Sequence, residues 1–228
     1  MSTDTVETVW RRRALVPVLV YLIAVMAMIS SLGSPLIPTI AAADHVPLSD
    51  AQWSVTITLL VGAVATPAMG RLGDGPLRRP LILLALSIVL VGSVLVALPF
   101  GFGPLIAGRA LQGVGLGLSP LTISTARDNL SADRSRTTIG LLSITTVAGV
   151  GLGYPLTGLI TEGLGYHASF WFGALVSGVA LVSAVFVVPR TRHLAPRPFD
   201  VVGAVLFGVV LAGLLLVLSE GRDRKSVV

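Results

Sequence analysis

Residues 80–98 read PLILLALSIVLVGSVLVAL, nineteen consecutive positions without a charged side chain. An α-helix needs about 20 apolar residues to cross the ~30 Å hydrocarbon core of a bilayer. Strands of a membrane barrel would be about 10 residues long and would alternate strictly, which this run does not do. Because a backbone in lipid must satisfy its hydrogen bonds internally, the segment predicts a transmembrane helix.

Six further apolar runs of this kind are distributed along the 228-residue chain, of which 54% is hydrophobic and only 12% is charged. Soluble domains carry about 25% charged residues, so the composition excludes an ordinary soluble globule. The predicted spans are 14–42, 51–70, 80–98, 104–126, 137–161, 168–188 and 200–219. We therefore expect an all-α membrane protein with a cytoplasmic tail (1–13), a six-helix bundle (14–189), a cytoplasmic linker (190–199), a seventh transmembrane helix (200–219) and a final tail (220–228).

The arginines of the connecting segments lie on one side of this arrangement. The N-terminus and every second loop carry Arg11, Arg12, Arg13, Arg71, Arg78, Arg79, Arg127, Arg134, Arg136, Arg190, Arg192 and Arg197, whereas the opposite loops carry none. By the positive-inside rule the N-terminus is cytoplasmic, in a plasma (cell inner) membrane. This asymmetry accounts for the net charge of +5 without nucleic acid. Seven spans would place the basic tail outside, so either the seventh does not insert stably or more spans follow.

A short charged turn separates the second and third predicted spans. It reads GRLGDGPLRRP over residues 70–80 and starts at Gly70. The positive end of a helix dipole favours a carboxylate, and Asp74 faces Arg78 and Arg79 near the start of the next helix. Such a cluster can latch two helix ends and open when they move. A charged turn that only fixes topology would have the same composition, so both interpretations stay open.

Arg109 is the one basic residue well inside a predicted span. A charge at membrane depth is costly and usually marks a transport pathway or a partner. Gln112 and Ser119 lie on the same helix face at helical spacing, which favours a functional role. The alternative is that the side chain extends to the membrane surface, because Arg109 lies only about 7.5 Å along the helix from Pro104.

Small and polar residues mark two further surfaces. Gly149 and Gly153 have the four-residue spacing that lets helices approach closely, and Pro155 weakens the helix beside them. Tight packing without motion would use the same residues. Polar side chains of spans 1, 2 and 4 are candidates either for lining a cavity or for hydrogen bonds between helices. They are Ser30, Ser34, Gln52, Thr56 and Ser119.

The charged turn and the fourth span resemble two signatures of the major facilitator superfamily. Residues 70–79 resemble GxLxDxxGRK at Gly70, Asp74, Arg78 and Arg79, although Leu77 replaces the usual glycine. Residues 109–115 resemble RxxQGxG without departure. The order of these segments along the chain also matches the family.

The fifth span and the segments around the seventh resemble a particular branch of that superfamily. Residues 149–158 resemble the antiporter signature GxxxGPxxGG at Gly149, Gly153 and Gly158, with Pro155 one position late. The segments PFDV at 198–201 and SEG at 219–221 resemble the fourteen-helix drug:proton antiporters. The resemblance covers essentially the whole chain, but only the N-terminal half of such a transporter.

The resemblance implies two inverted three-helix repeats and transport by alternating access against a C-terminal half, supplied in cis or in trans. It implies a small lipophilic substrate and protons, and neither cofactor nor metal. Asp74, Arg78 and Arg79 would latch the cytoplasmic side, and Arg109 with Gln112 would tune proton exchange. Span 1 has no aspartate where many drug antiporters carry one, which removes the most obvious partner of Arg109.

Three other functions compete with proton-coupled efflux. A membrane enzyme is disfavoured, because the three histidines lie in loops on both sides and cannot assemble a site at membrane depth. A truncated or half-transporter without independent activity is a stronger rival, since one bundle has no opposing wall. An uptake transporter of the same superfamily would differ only in the direction that a proton gradient drives.

Overall fold

The computed structural model describes residues 3–190 together with Val210 and Gly213. Within these residues the chain forms eight α-helices and a 3-10 turn, with no β-strand. The helices are α1 (Thr3–Leu32), α2 (Ile37–Ala43), α3 (Leu48–Leu72), α4 (Arg78–Ala97), α5 (Phe102–Gly113), α6 (Leu118–Asn129), α7 (Ala132–Leu164) and α8 (Tyr166–Val187). The predicted linker after Arg190, the final tail and most of the seventh span lie outside the described residues.

Five of these helices are long and apolar enough to cross a membrane. The qualifying segments are Arg13–Leu32, Leu48–Leu72, Arg78–Ala97, Ala132–Leu164 and Tyr166–Val187. Their outward faces expose large apolar side chains such as Leu84, Val91, Ile144, Leu159 and Leu175, which suit lipid and not water. The all-α membrane fold is therefore confirmed.

The first predicted span, 14–42, is two helices rather than one loosened helix. Helix α1 ends at Leu32, and residues 33–36 form a turn in which the Leu36 amide donates to the Gly33 carbonyl at 3.2 Å. Pro35 has no amide hydrogen to continue the helix, while Pro38 suits the first turn of α2. At its other end α1 begins at Thr3, so helix extends into the segment that was predicted as a tail.

The fourth predicted span, 104–126, also differs from a single regular helix. Helices α5 and α6 have 12 residues each and are joined by a 3-10 turn over Val114–Gly117. Neither helix alone spans a bilayer at 1.5 Å per residue, but together they form one helical path from Phe102 to Asn129. The turn coincides with a glycine-rich stretch, where the small residues leave room for a tighter helix.

The packing of the helices has the symmetry of two inverted repeats. The first repeat consists of α1–α4 and the second of α5–α8. Helix α1 packs against α7 and α8, whereas α5, its equivalent, packs against α3 and α4. Helix α4 packs against its equivalent α8. Exchanging the repeats maps the contacts of α1 onto those of α5 and maps the α4–α8 contact onto itself, which supports the predicted two three-helix units.

Helices α1 and α7 cross at two of the predicted glycines. A Cβ added to Gly149 would lie 2.8 Å from Ala27 Cβ and 3.0 Å from the Ala24 carbonyl oxygen, and one added to Gly153 would collide with Ser31 Oγ. The close approach expected from the four-residue spacing is therefore present.

The other two residues of the antiporter-like segment do not take part in this crossing. A Cβ on Gly158 would meet nothing within 4 Å, and Pro155 is exposed while α7 continues through it. Among Gly149, Gly153, Pro155 and Gly158, it is therefore the first two that are constrained by packing against α1.

We expect Gly149→Leu to lower the free energy of unfolding of the chain by about 1–3 kcal/mol, because the new side chain would overpack the α1–α7 contact. Gly151→Leu is the matched control, because a Cβ there would meet nothing within 4 Å and leucine favours the helix. Tryptophan fluorescence during unfolding in mixed detergent micelles measures both. Equal stability of the two variants would contradict this packing.

Candidate functional site

Arg109 is completely buried in the bundle, where its guanidinium donates hydrogen bonds to oxygen atoms of three helices. Nε donates to the Ser54 carbonyl of α3 at 2.9 Å, and Nη1 donates to the Ile29 carbonyl of α1 at 3.2 Å and to Gln112 Oε1 at 2.7 Å. The alternative in which this side chain extends to the membrane surface is therefore wrong for this structure. The cation is held inside the bundle by main-chain and amide oxygens.

The hydrogen-bond network continues from Arg109 into a fourth helix. Gln112 Nε2 donates to Ser93 Oγ of α4 at 3.0 Å, and Thr58 Oγ1 donates to the Arg109 carbonyl at 3.0 Å. All of these polar side chains are at most 3% exposed. Helices α1, α3, α4 and α5 are thus joined through one residue pair, Arg109 and Gln112, that the sequence had singled out.

The positive charge of Arg109 has no acidic partner in the described part of the chain. The three acceptors are neutral, and the one ion pair recorded there belongs to other residues. Arg109 Nη2 is buried without a hydrogen-bond acceptor, and a Cβ added to Gly33 would lie 2.5 Å from it. The guanidinium therefore rests against the break between α1 and α2.

The predicted cavity residues do not join this network. Gln52 is exposed, whereas Ser30, Ser34, Thr56 and Ser119 are half-buried. The Thr56 hydroxyl donates to the Gln52 carbonyl one turn earlier at 3.2 Å, and both residues are more exposed than Ser54 and Thr58 of the same helix. Their access to a substrate pathway stays a prediction.

Sequence reasoning missed the polar side chains of α3 that face inward. Ser54 and Thr58 lie one turn apart on the face that turns toward Arg109, about 200° around the helix from Gln52 and Thr56. Gly62, one turn further, is buried against Leu116. The stripe of small residues at positions 54, 58 and 62 was the available signal, because close contacts between membrane helices select small side chains.

The charged turn between α3 and α4 is anchored to the fourth span through Arg78. This side chain is only 4% exposed; its Nε donates to the Gly73 carbonyl at 2.8 Å, and its Nη1 donates to the Ser124 carbonyl and pairs with Asp128 of α6. The partner of Arg78 is therefore not Asp74, as the sequence suggested. Asp74 is half-buried and makes no ion pair with any described residue.

Arg79 points away from this anchor and holds a different helix. Its Nη2 donates to the Val185 carbonyl near the end of α8 at 2.8 Å. The two neighbouring arginines thus tie α4 to α6 and to α8 respectively. Gly70, the first residue of the turn motif, lies close to Pro120 of α6, with 3.5 Å between its added Cβ and Pro120 Cβ.

No group of three or more histidine, cysteine, aspartate or glutamate side chains gathers in the described residues, so the structure offers no metal centre there. A buried guanidinium, hydroxyls and an amide can bind and orient a ligand or influence a proton, but they supply no nucleophile–base pair.

Several known proteins resemble this chain in sequence. The profile of the Major Facilitator Superfamily matches residues 19–221. A triacylglyceride transporter of Mycobacteroides abscessus is 36% identical over 75% of this chain and 34% of its own length. An uncharacterised MFS-type transporter of Mycobacterium tuberculosis is 34% identical over 82% of this chain and 32% of its own length. Citrate exporter 1 of Aspergillus niger is 28% identical over 76% and 34%.

Solved structures show the same fold at low sequence identity. The human organic anion transporter TETRAN superposes with a TM-score of 0.67 at 20% identity, over 88% of this chain and 54% of that protein. A peptide transporter POT in complex with sulfate gives 0.70 at 17% identity, over 91% and 46%. The chain thus spans about a third of the length of the curated relatives it matches.

The Arg78 anchor leads to a prediction about stability. Asp128→Asn should lower the free energy of unfolding by up to about 1 kcal/mol, because the buried Arg78 guanidinium would lose a charged acceptor whose own side chain is 43% exposed. Asp74→Asn is the matched control and should change stability little, since Asp74 has no partner in the described chain. Detergent-induced unfolding of the purified full chain measures both. A larger loss with Asp74→Asn would contradict the assigned pair.

Proposed function

The chain belongs to the major facilitator superfamily, and from that premise we propose that it forms one of the two bundles of a secondary active transporter. Members of such families move substrates by rocking two bundles around a midplane site. The five membrane-length helices, together with the helical path formed by α5 and α6, have the internal symmetry of one bundle. The second bundle would come from further sequence in cis or from a partner in trans.

The buried Arg109 is the observation that carries this proposal. A charge at the centre of a membrane helix costs about 2.5–3.5 kcal/mol on insertion scales, so it is retained where it has a role. Here neutral oxygens hold the guanidinium, and Nη2 keeps an unused donor. A group that gains and loses an acidic neighbour during transport would need such a donor.

We further propose that transport is coupled to protons and directed outward. The antiporter-like glycines of α7 pack on α1 beside Ser31, only two residues before Gly33, which contacts Arg109. Movement of α7 relative to α1 would therefore shift the part of α1 that contacts the Arg109 guanidinium. Glutamate or aspartate from the second bundle is the expected proton-carrying partner. Uptake by the same machinery is the alternative, distinguished by the direction in which an imposed proton gradient moves substrate.

Two substrate classes have support. A lipophilic or drug-like compound suits the apolar walls of the bundle and accords with the relative named a triacylglyceride transporter. An organic anion is favoured by the unpaired charge of Arg109, and two similar proteins are named as a citrate exporter and an organic anion transporter. We take the lipophilic class as the first proposal, since Arg109 is fully buried from any open surface described here.

The proposed location is the plasma (cell inner) membrane with a cytoplasmic N-terminus. The chain has no cysteine, so single-cysteine variants can be labelled without background. An impermeant maleimide added to intact cells should label Glu162→Cys and leave Arg134→Cys unlabelled, because the arginine-bearing turns face inward. Both positions are exposed. Labelling of Arg134→Cys from outside would contradict this orientation.

Transport should require both bundles. The chain alone in proteoliposomes should move no ethidium under an imposed proton gradient, because a single bundle has no opposing wall. A chimera that adds the uncovered C-terminal part of the Mycobacteroides abscessus transporter should extrude it. Transport by the chain alone would contradict the alternating-access proposal, and an inserted chimera that moves no probe would contradict the transporter proposal.

In the same chimera, Arg109→Gln should reduce proton-driven extrusion at least about tenfold, since the cation that would lower the pKa of the proton-carrying acid is removed. Arg71→Gln is the matched control, because Arg71 is exposed at the end of α3. Ethidium binding is measured without a gradient as well. A variant that still binds ethidium but does not extrude it has lost coupling to protons, whereas a variant that has lost binding has lost the folded bundle. Equal effects of the two substitutions on transport would contradict the proposed role of Arg109 in proton coupling.

A further inference from the structure

Ser93 of α4 borders the Arg109 network but lies outside every segment that resembles a family signature. Its side chain is completely buried, and its Oγ accepts a hydrogen bond from Gln112 Nε2 at 3.0 Å. In the described part of the chain, Gln112 Nε2 has no other acceptor. The Gln112 amide is therefore held by Ser93 on one side and by Arg109 on the other.

The close approach of α4 to α5 brings Ser93 and Gln112 together. Gly92 and Gly108 immediately precede Ser93 and Arg109, and a Cβ added to either glycine would lie 2.7 Å from the carbonyl oxygen of the other. Helices come this close where small residues meet, and any side chain at these two positions would push the helices apart. The backbone of α4 thus fixes the place of Ser93 beside Gln112.

The donors and acceptors of these side chains allow one orientation of the amide. A guanidinium carries N–H donors and no acceptor, so the Gln112 atom that lies 2.7 Å from Arg109 Nη1 must be Oε1. Nε2 then points away from Arg109 and needs an acceptor, which the Ser93 hydroxyl oxygen supplies. Because a buried N–H without an acceptor is costly, the amide would leave this orientation if the hydroxyl were removed.

We propose that Ser93 is a positioning residue for Arg109 and acts on it through Gln112. By holding Nε2, Ser93 keeps Oε1 on Nη1 of the guanidinium, so that Nη2 stays beside Gly33 with its donor unused. The inference rests on the proposed role of Arg109 in proton coupling, because a displaced guanidinium would no longer face an acid of the second bundle.

The geometry is tested by NMR on the full chain, labelled with ¹⁵N-glutamine and held in lipid nanodiscs. The chain has two glutamines, of which Gln52 is exposed and serves as the internal reference. The side-chain amide of Gln112 should exchange with D₂O at least about tenfold more slowly, because it is buried and hydrogen-bonded. Equal exchange rates in the unchanged chain would overturn the proposal, even if no Ser93 variant folds.

The effect on transport is tested in the chimera described above. Ser93→Ala should reduce proton-driven ethidium extrusion by about threefold to tenfold, the size of one hydrogen bond, and should leave ethidium binding without a gradient unchanged. Ser177→Ala is the matched control and should change neither, because Ser177 is also completely buried but its hydroxyl donates to the Gly173 carbonyl of its own helix. Equal losses of extrusion and binding in Ser93→Ala would indicate a structural role alone and overturn the proposal.

A double-mutant cycle tests whether Ser93 acts through Gln112. If it does, the variant that combines Ser93→Ala with Gln112→Met should extrude ethidium as fast as Gln112→Met alone, because the contact is already lost. A further loss in the double variant would overturn the proposal. Failure of the proposed function is distinguishable, since Arg109→Gln would then extrude normally. If the inference alone fails, Arg109→Gln is defective and Ser93→Ala extrudes normally.

Discussion

The Arg109 guanidinium is buried among helices and has no carboxylate beside it in the described residues, so it takes its hydrogen bonds from main-chain carbonyls of neighbouring helices and from the Gln112 amide. In this chain the carbonyls of Ser54 and Ile29 supply them, one from α3 and one from α1. Those helices can come so close to α5 only where their side chains are small. The glycines and the short hydroxyl residues around Arg109 are thus requirements of the same buried charge.

The same constraint links the polar centre to the symmetry of the fold. Helices α1 and α5 are equivalent in the two repeats, and both are interrupted: α1 by the turn that precedes α2, and α5 by the 3-10 turn that precedes α6. The contact between Gly33 and Arg109 lies where the first interruption meets the second repeat. Irregular backbone at membrane depth is tolerated where it is buried within protein, which is the situation at this contact.

Much of this architecture could be predicted from the sequence, because membrane spans are long, uncharged and bounded by arginine-bearing turns. The importance of Arg109 and Gln112 followed from the cost of burying their polar groups. What the sequence could not decide was which face of a helix turns inward. Helix α3 carries two polar pairs of equal spacing, Gln52 with Thr56 and Ser54 with Thr58, and only packing against α5 separates them. The ion pair of Arg78 was likewise assigned to the neighbouring Asp74, whereas the fold brings the distant Asp128 beside it.

The burial of the Arg109 side chain can be measured directly by NMR on the full chain, labelled with ¹⁵N-arginine and held in lipid nanodiscs. The Nε–H signal of Arg109 is identified by its absence from the spectrum of Arg109→Gln. After transfer to D₂O this signal should persist long after those of the exposed arginines have vanished, because its hydrogen bond to the Ser54 carbonyl is shielded from water. Exchange as fast as that of exposed Arg71 would place the side chain at the membrane surface and contradict the account.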